Sequence, residues 1–471
     1  MLWNLGQYKG TALIDTNGGS ETYEGLVSFC NKVKNLNLKR DVAFILAGNN
    51  VETISAFLAL CNNRVVPLLL NAELDVDLLH TYVQTYQPRY VCVPQTKADL
   101  FGETETIFSF GGYVLLELIN VEREDVKLYD ELAFLLSTSG TTGSPKLVRH
   151  SYKNLEASAR NVARALKLTD RERALANLPS YFTQGLNVIL SNLTVGAVVL
   201  LCDLSLTSKE FWSFLKDQRA TSITGVPFSY EVMVRLGFLK MDLPDLKIIN
   251  EGGGRLNDRI FKGIAQYAVD NGKLFIPTYG STETTSRMCF MDPSLSVRKT
   301  GSIGSPIPPG YIKLMDDDGN EVTESGQKGE IVYYGPNVTL GYAFSRADLS
   351  KGDERNGHYA TGDIAYFDGD GCYFIVGRKG RFVKVYGYRI SLDELEKLLK
   401  DHFMAVFACT GSDKQIYIFS ESCFDDKEVI GYISDKLHLL PNIFKYRQID
   451  KFPRNSYGKV LFAKLKEMEN S

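Results

Sequence analysis

Residues 137–146 read Ser137-Thr138-Ser139-Gly140-Thr141-Thr142-Gly143-Ser144-Pro145-Lys146, and they follow an apolar run, 132–136, that is typical of a buried strand. Glycines allow a backbone turn that exposes N–H groups, while the hydroxyls and the lysine add donors and positive charge. This composition predicts a loop that binds a polyphosphate. The Walker pattern is absent, since Ser144-Pro145 precede the lysine and no Ser or Thr follows it. The alternative is a Ser/Thr/Gly surface linker.

The composition is that of a globular protein with a large core: 471 residues, 44% hydrophobic and 23% charged. A net charge of -3 carries no basic footprint for nucleic acid. The N-terminus lacks the pattern of a secretion signal, and the most apolar window, 186–202, contains too many polar residues for a membrane span, so we expect a buried helix and strand there. The cysteines are scattered along the chain, and most of them lie within apolar runs. This distribution predicts reduced thiols in the core, no metal site and a cytoplasmic location.

Strand-like and helical patterns alternate along much of the chain. Strand-like runs occupy 42–46, 65–70, 89–93, 221–226 and 247–250, whereas helical spacing occurs at 51–61, 74–86 and 258–269. Buried strands that alternate with helices favour an α/β fold with a mostly parallel sheet.

Two further loops follow strands of this pattern: Glu251-Gly252-Gly253-Gly254, and Tyr279-Gly280-Ser281-Thr282-Glu283 after the run 274–278. Ligands of open α/β sheets bind at the carboxyl ends of the strands, where both loops are expected. Glycines 252–254 permit close approach to a flat ring that Tyr279 stacks on, Thr282 can donate to a phosphate, and Glu283 can hold Mg²⁺. Plain turns at strand ends are the alternative.

Five motifs in order identify a family resemblance. They are Ser139 to Lys146, Tyr279 to Glu283, Tyr359-Ala360-Thr361-Gly362-Asp363, Gly377-Arg378-Lys379, and Pro453-Arg454-Asn455-Ser456-Tyr457-Gly458-Lys459. Together they resemble the adenylate-forming superfamily, which comprises acyl-CoA synthetases, adenylation domains of peptide synthetases and firefly luciferase. The resemblance extends from about residue 22 to the C-terminus, and it is most similar to stand-alone acyl-CoA or acyl-carrier ligases.

The resemblance implies a two-step reaction. A carboxylate attacks the α-phosphorus of ATP, with Mg²⁺ present, and forms an acyl-adenylate and pyrophosphate. The thiol of CoA, or of a phosphopantetheine on a separate carrier protein, then takes the acyl group. Lys459 is implied to bridge the carboxylate and the α-phosphate as a catalytic residue with Thr282 and Glu283, the last also as metal ligand; its alternative is a solvated lysine in a C-terminal turn.

The resemblance also implies the binding residues. Nucleotide binding is assigned to Thr138, Ser139, Gly140, Thr141, Thr142, Gly143, Lys146, Gly252, Gly253, Gly254, Tyr279, Gly280, Asp363 and Arg378, with Lys146 handling pyrophosphate and Asp363 accepting from the ribose hydroxyls. Asp363 is expected in a polar turn that enters an apolar strand. The acid is assigned to Phe182, Gly185 and Ser281, and Phe182 has a core aromatic as its alternative role.

The expected architecture is a large N-terminal domain of mostly parallel sheets flanked by helices, residues 1–377, and a small mobile α+β C-terminal domain, residues 378–471. The family's C-terminal domain swings between an adenylating and a thioester-forming pose. Its pivot is Gly380 here, a departure from the usual Asp or Lys, and the thiolation face is assigned to Lys384 and Gly387.

Three functions remain open on the sequence alone. An AMP-forming ligase that acts on a small carboxylic acid is favoured, with neither nucleic acid nor membrane as partner. The segment 178–186 contains no aspartate for a substrate ammonium, which favours an uncharged acyl or hydroxy-acyl group over an amino acid. The alternatives are a stand-alone amino-acid adenylation enzyme that loads a carrier protein, and a non-catalytic nucleotide-binding relative.

Overall fold

The structure, a computed structural model, describes residues 2–119, 121–137, 146–385, 388–412, 415–437, 439–454 and 460–470. Its strands are β1 (Thr11–Asp15), β2 (Ser20–Thr22), β3 (Val42–Ala47), β4 (Val66–Asn71), β5 (Tyr90–Pro94), β6 (Thr104–Phe110), β7 (Tyr113–Leu118), β8 (Leu132–Ser137), β9 (Leu147–Ser151), β10 (Arg173–Ala176), β11 (Val198–Leu201), β12 (Ser222–Gly225), β13 (Ile248–Glu251), β14 (Leu274–Ser281), β15 (Ser286–Phe290), β16 (Ser305–Pro306), β17 (Tyr311–Met315), β18 (Glu321–Val322), β19 (Gly329–Tyr334), β20 (Gly341–Ala343), β21 (His358–Phe367), β22 (Tyr373–Arg378), β23 (Phe382–Val385), β24 (Tyr388–Ser391), β25 (Phe407–Ser412), β26 (Gln415–Ser420) and β27 (Phe444–Gln448).

The α-helices of the described residues are α1 (Tyr23–Asn35), α2 (Val51–Asn62), α3 (Val76–Tyr86), α4 (Tyr152–Ala165), α5 (Thr183–Leu193), α6 (Lys209–Asp217), α7 (Pro227–Arg235), α8 (Asp258–Asp270), α9 (Leu392–Phe403), α10 (Asp426–Leu437) and α11 (Phe462–Glu467). Several helices begin directly after an N-cap residue whose side chain accepts a hydrogen bond from a backbone N–H of the first turn. Ser151 and Asn154 form a reciprocal capping box at α4. Ser391 accepts from the Glu394 N–H at 3.2 Å at the start of α9, where the sequence carries a cap signature. None of the described helices is long and apolar enough to cross a membrane.

The described chain divides into two compact units, one formed by residues 2–137, 146–311 and 333–359 and the other by 312–332 and 360–470. This division passes through β17, β19 and β21. The predicted domain boundary at 377/378 stays a prediction.

The first unit contains two large sheets. One has nine strands in the order β16-β15-β14-β13-β12-β10-β11-β1-β2, and its pairs from β14 across to β1 are parallel. The other has eight strands in the order β20-β9-β8-β4-β3-β5-β7-β6, with a parallel centre from β8 to β5. The outer strands of both sheets are antiparallel to their neighbours, as in the pairs β6–β7 and β8–β9, and a two-residue turn connects β6 to β7.

The core of the first unit explains the predicted apolar runs. Helices α1, α2, α4 and α5 pack between the sheets against side chains such as Ala43, Ala174 and Val199. Helix α3 covers the other face of the eight-stranded sheet, and α6, α7 and α8 cover the other face of the nine-stranded sheet. The window 186–202 forms the end of α5 and strand β11, as the sequence predicts.

The second unit is built from small sheets and helices, and it includes the parallel pair β26–β27. A five-stranded sheet has the order β18-β17-β19-β21-β22, β23 pairs with β24, and β25-β26-β27 form a third sheet against which α9 and α10 pack. The prediction of an α/β fold with a large sheet-rich N-terminal part and a smaller α+β C-terminal part is confirmed.

Candidate functional site

The two glycine-containing loops of the sequence analysis emerge at the same edge of the nine-stranded sheet. Strands β13 and β14 are parallel and Glu251 pairs with Pro277, so Gly252 and Tyr279 both lie at the carboxyl ends of neighbouring strands. The strand runs on to Ser281, so the loop that the sequence predicted from Tyr279 begins only at Thr282. Tyr279, Gly280 and Ser281 are the last residues of β14, and Thr282–Thr284 form a 3₁₀ turn before β15 returns antiparallel. This arrangement fits the ligand-binding edge of an open α/β sheet.

Gly280 is required by the close return of β15. A Cβ atom at this position would lie 1.6 Å from the Ser286 carbonyl oxygen, which no side chain tolerates. Glycine therefore lets the backbones of β14 and β15 approach, and this approach sets the position of the turn that carries Thr282 and Glu283.

Glu283 is held at both its backbone and its side chain. Its carbonyl oxygen accepts from the Thr339 N–H at 3.0 Å and from Thr339 Oγ1 at 2.9 Å, and Arg355 donates to the same oxygen at 3.2 Å. Its carboxylate oxygen Oε1 accepts from the Tyr342 hydroxyl at 2.7 Å. The carboxylate is therefore fixed in direction before any ligand binds, and its other oxygen is not engaged by Tyr342.

Tyr342 also gathers positive charge around this carboxylate. Lys146 Nζ lies 4.1 Å from the centroid of the Tyr342 ring, and the Arg355 guanidinium lies 4.6 Å from it. Burial and the charge of Glu283 raise the pKa of Tyr342 above its usual value, so the hydroxyl stays a donor. The structure thus brings together Lys146 and Glu283, which the sequence predicted separately, and adds Tyr342 and Arg355, which it did not predict.

Arg149 fixes the position of Tyr342. Its guanidinium is completely buried and donates from Nε to the Tyr342 carbonyl at 3.0 Å and from Nη2 to the Leu340 carbonyl at 3.3 Å, and it also pairs with Glu354. Because Arg149 lies in β9, three residues after Lys146, it connects the strand behind the predicted phosphate loop to β20. The sequence analysis did not single it out.

A buried network of polar side chains holds the turn that follows Glu283 in place. Thr285 donates to the Asn337 carbonyl at 2.8 Å, and Asn337 Nδ2 donates to the Thr284 carbonyl at 2.8 Å. With that hydroxyl proton used, the His150 Nδ1–H is the donor to Thr285 Oγ1, 3.2 Å away. The His150 ring is 0% exposed and stacks on Phe134, and burial lowers its pKa well below the usual value, so the ring is neutral.

The predicted acid-binding residues Phe182 and Gly185 lie at the start of α5. Phe182 is the N-cap residue and contacts the Tyr181 ring at 4.8 Å between centroids. A Cβ atom at Gly185 would lie 2.2 Å from the Pro179 carbonyl oxygen, so packing against the chain explains this glycine. Their contact with substrate stays a prediction, as does that of Ser281.

Asp363 and Arg378 meet in the second unit. They are paired residues of β21 and β22, and Arg378 Nε donates to Asp363 Oδ1 at 2.8 Å. The Asp363 side chain is 9% exposed and that of Arg378 62%. Strand β21 contains residues 361–363, where the sequence analysis expected a polar turn, and Gly362 has a φ of 74° within this strand.

Gly380 lies in the 3₁₀ turn Lys379–Arg381, and a Cβ there would meet nothing within 4 Å. Directly after it, Arg381 pairs with Asp393 and Glu396 of α9. Several predicted site residues lie outside the described part of the chain: Thr138, Ser139, Gly140, Thr141, Thr142, Gly143, Gly387 and Lys459, as well as the side chain of Lys384.

The residues present fit a magnesium ion of the kind that accompanies phosphates. Within the described ranges, no three His, Cys, Asp or Glu side chains form a metal cluster. Mg²⁺ commonly takes one or two carboxylates and completes its shell with water and phosphate oxygens. The oriented carboxylate of Glu283 suits that role.

Comparisons with known proteins agree with this geometry. A family model described as AMP-binding enzyme matches residues 7–343. The 2-succinylbenzoate–CoA ligase of Bacillus cereus (strain AH820) is 27% identical over 465 residues, which covers 95% of this chain and 92% of that protein. Two structures of o-succinylbenzoate coenzyme A synthetase (MenE) from Bacillus subtilis share the fold. Its complex with ATP and magnesium has a TM-score of 0.77 at 23% identity, covering 99% of both chains. Its complex with the acyl-adenylate intermediate has a TM-score of 0.78 at 24% identity, covering 99% of this chain and 98% of that one.

Proposed function

The chain belongs to the AMP-binding enzyme family, and on this premise we propose that it is an AMP-forming acid–thiol ligase. It activates a carboxylic acid with ATP, releases pyrophosphate and transfers the acyl group to the thiol of coenzyme A. The predicted resemblance to adenylate-forming enzymes is confirmed by the family match.

The relatives support both steps of this reaction. The Bacillus cereus relative is named as a CoA ligase, and it aligns over nearly the whole of both chains. ATP with magnesium, and an acyl-adenylate, are the ligands of the Bacillus subtilis structures. ATP, Mg²⁺ and CoA are therefore the proposed co-substrates and metal. A carrier protein as acceptor has no support among these relatives, and neither has the amino-acid adenylation alternative.

The arrangement of Glu283, Tyr342 and Lys146 is the observation that carries the proposal. Joining a carboxylate to a phosphate brings two anions together, which requires fixed positive charge and a metal aimed at the oxygens. Glu283 would hold Mg²⁺, which neutralises phosphate oxygens when bound. Lys146 and Arg355 both contact the ring of the tyrosine that binds Glu283, so they supply positive charge beside that carboxylate without any rearrangement.

The other predicted roles complete the proposal. Asp363 binds the ribose hydroxyls, with Arg378 holding its carboxylate in place. Glycines 252–254, Tyr279 and Gly280 form the nucleotide pocket, Thr282 and residues 138–143 contact phosphates, and Phe182, Gly185 and Ser281 border the acid. Lys459 bridges the carboxylate and the α-phosphate, Gly380 serves as pivot, and Lys384 and Gly387 belong to the thiolation face.

The acid and the cellular location are finer parts of the proposal. The relatives' name makes 2-succinylbenzoate the first acid to test. All eight cysteines are free thiols and seven of them are buried, which suits the reducing cytoplasm.

The test is acid-dependent ATP–pyrophosphate exchange, followed by assay of AMP and the CoA thioester. Exchange is expected only when a suitable acid is present, and Lys459→Ala should reduce it by about 10²–10³-fold while nucleotide binding remains. Lys464→Ala, at an exposed lysine of α11, is the matched control. Release of ADP and phosphate without acid would contradict the proposal.

A further inference from the structure

Three arginines of the first unit are almost completely buried: Arg149 at 0%, Arg346 at 3% and Arg287 at 4% exposure. In Arg149 and Arg346, every guanidinium nitrogen donates to a carbonyl or carboxylate oxygen. In Arg287, both Nε and Nη2 are buried without a hydrogen-bond partner. Arg287 is therefore the exception among three side chains of the same type.

No counter-ion for Arg287 occurs in the described part of the chain. The carboxyl of Glu251 makes no ion pair with Arg287: it is buried with Oε1 unpaired, and burial raises its pKa well above the usual value. The Tyr230 hydroxyl interacts electrostatically with Arg287 but donates to the Asn250 carbonyl, and its own pKa is raised by burial. The undescribed residues 1, 120 and 138–145 include no Asp or Glu.

Arg287 nevertheless stays charged. Burial lowers the pKa of its guanidinium to about 10, which is still far above neutral pH. A buried cation without an anion costs several kcal/mol. Such a cost is tolerated where a ligand supplies the missing charge, as at binding sites.

The position of Arg287 places it beside the candidate site. Arg287 is the partner of Gly280 in the antiparallel pair β14–β15, so its side chain belongs to the sheet and not to the turn that carries Glu283. A second unpaired buried donor, Gln184 Nε2, lies 2.9 Å from the point where a Cβ on Gly252 would stand, against the glycine loop. Unpaired polar atoms thus accompany both strand ends at which the proposed nucleotide and acid sites lie.

We infer that Arg287 binds a second carboxylate of the acid substrate, so that the enzyme acts on a dicarboxylic acid and activates only one end of it. This inference rests on the proposed function. The two unpaired nitrogens, Nε and Nη2, are on one edge of the guanidinium with parallel N–H bonds, the fork that matches the two oxygens of a carboxylate.

The carboxylate on Arg287 is not the one that reacts. A carboxylate bound by both oxygens to a guanidinium has its lone pairs engaged and is a poor nucleophile. The reacting end must also reach the phosphates, near Lys146 and Glu283, beyond the turn at Thr282–Thr284. A second anionic group differs from the uncharged acyl group expected from the sequence. The sequence could not show this, because the pattern of residues 286–290 gives no sign that Arg287 lacks a partner.

The test compares matched acids in ATP–pyrophosphate exchange: dicarboxylic acids, 2-succinylbenzoate among them, and their half-amides with the distal carboxylate neutralised. The wild type should prefer the diacid in kcat/KM by about 100-fold or more, since a site built for a charged group rejects an analogue that lacks it. In Arg287→Met, kcat/KM should fall for the diacid and stay unchanged for the half-amide, so that the preference disappears. Arg287→Lys should retain part of the preference.

Equal use of diacid and half-amide by the wild type, or an unchanged preference in Arg287→Met, would overturn the inference and leave the proposed function intact. Absence of exchange with every acid would instead remove the proposed function, and this inference with it.

Thermal unfolding without substrate gives a readout independent of activity. Arg287→Met removes an uncompensated buried charge and should raise the unfolding midpoint by about 2 °C or more. Arg149→Met, the matched buried arginine with all its partners, should lower it. A fall of similar size in both variants would show that Arg287 is structural and would overturn the inference.

Discussion

The hydroxyl of Tyr342 donates to Oε1 of Glu283 at 2.7 Å, across 59 residues of sequence. This bond joins the turn after β14 in the nine-stranded sheet to β20 at the edge of the eight-stranded sheet. Since the Arg149 side chain holds the Tyr342 carbonyl, the carboxylate is oriented by a chain of contacts that ends in a fully buried residue.

Tyr342→Phe should weaken acid activation with little effect on stability. The variant keeps the ring that Lys146 and Arg355 contact but removes the donor to Glu283. A hydrogen bond to a charged group contributes about 1.5–3 kcal/mol, so kcat/KM for pyrophosphate exchange should fall about 10- to 100-fold, with a higher requirement for Mg²⁺. Tyr311→Phe, at a half-exposed tyrosine, is the control. Unchanged exchange kinetics across a magnesium titration would contradict this role.

Asp363→Asn should raise the KM for ATP about tenfold or more, because the amide cannot accept from both ribose hydroxyls and from Arg378 as a carboxylate does. Unfolding free energy should change by less than about 1 kcal/mol, since the Arg378 side of this ion pair is largely exposed to solvent. Glu321→Gln, which removes the exposed pair with Lys313, is the control. An ATP affinity equal to that of the wild type, measured by calorimetry, would exclude Asp363 from the nucleotide site.

Arg149→Met should destabilise the first unit by about 3–5 kcal/mol, because it removes the buried cation that donates to the carbonyls of Leu340, Tyr342 and Gly352. Urea unfolding followed by tryptophan fluorescence measures this unit, since both tryptophans, Trp3 and Trp212, belong to it. Arg160→Met, at a half-exposed arginine that pairs with Glu156 along α4, should change the midpoint little. A small effect of Arg149→Met would mean that its bonds contribute no net stability.

Acid should destabilise the first unit through His150. Burial lowers the pKa of His150 in the folded state, so the unfolded chain binds the proton more tightly. The stabilising contribution is therefore complete above the unfolded pKa of about 6.5 and is lost as the pH falls below it, by up to about 1.4 kcal/mol per pH unit.

His150→Asn should remove this slope between about pH 6.5 and 5, because the amide can still donate to Thr285 Oγ1 but does not titrate. His402→Asn, at an exposed histidine, should leave the slope as it is. Parallel pH profiles for the wild type and His150→Asn would show that another group causes the acid sensitivity.

Local pattern was sufficient for much of the fold. The runs 42–46, 221–226 and 247–250 became β3, β12 and β13, and the segment 258–269 became α8, because burial on both faces and helical spacing are properties of consecutive residues. The same reasoning located Glu251 and Tyr279 at strand ends. It did not foresee the antiparallel outer strands, or that residues 361–363 continue β21.

The ordered motifs alone were sufficient to predict the family and its reaction, since residue types at a fixed spacing can be recognised in the sequence without coordinates. Which side chains meet was decided only by the tertiary structure, because sheet order brings β20 beside β9 and β15 beside β14 irrespective of their distance in sequence. The hydrogen bond from Tyr342 to Glu283 and the unpaired guanidinium of Arg287 both follow from that strand order. Whether a buried charge has a partner depends on the residues that surround it in space, and not on its neighbours in sequence.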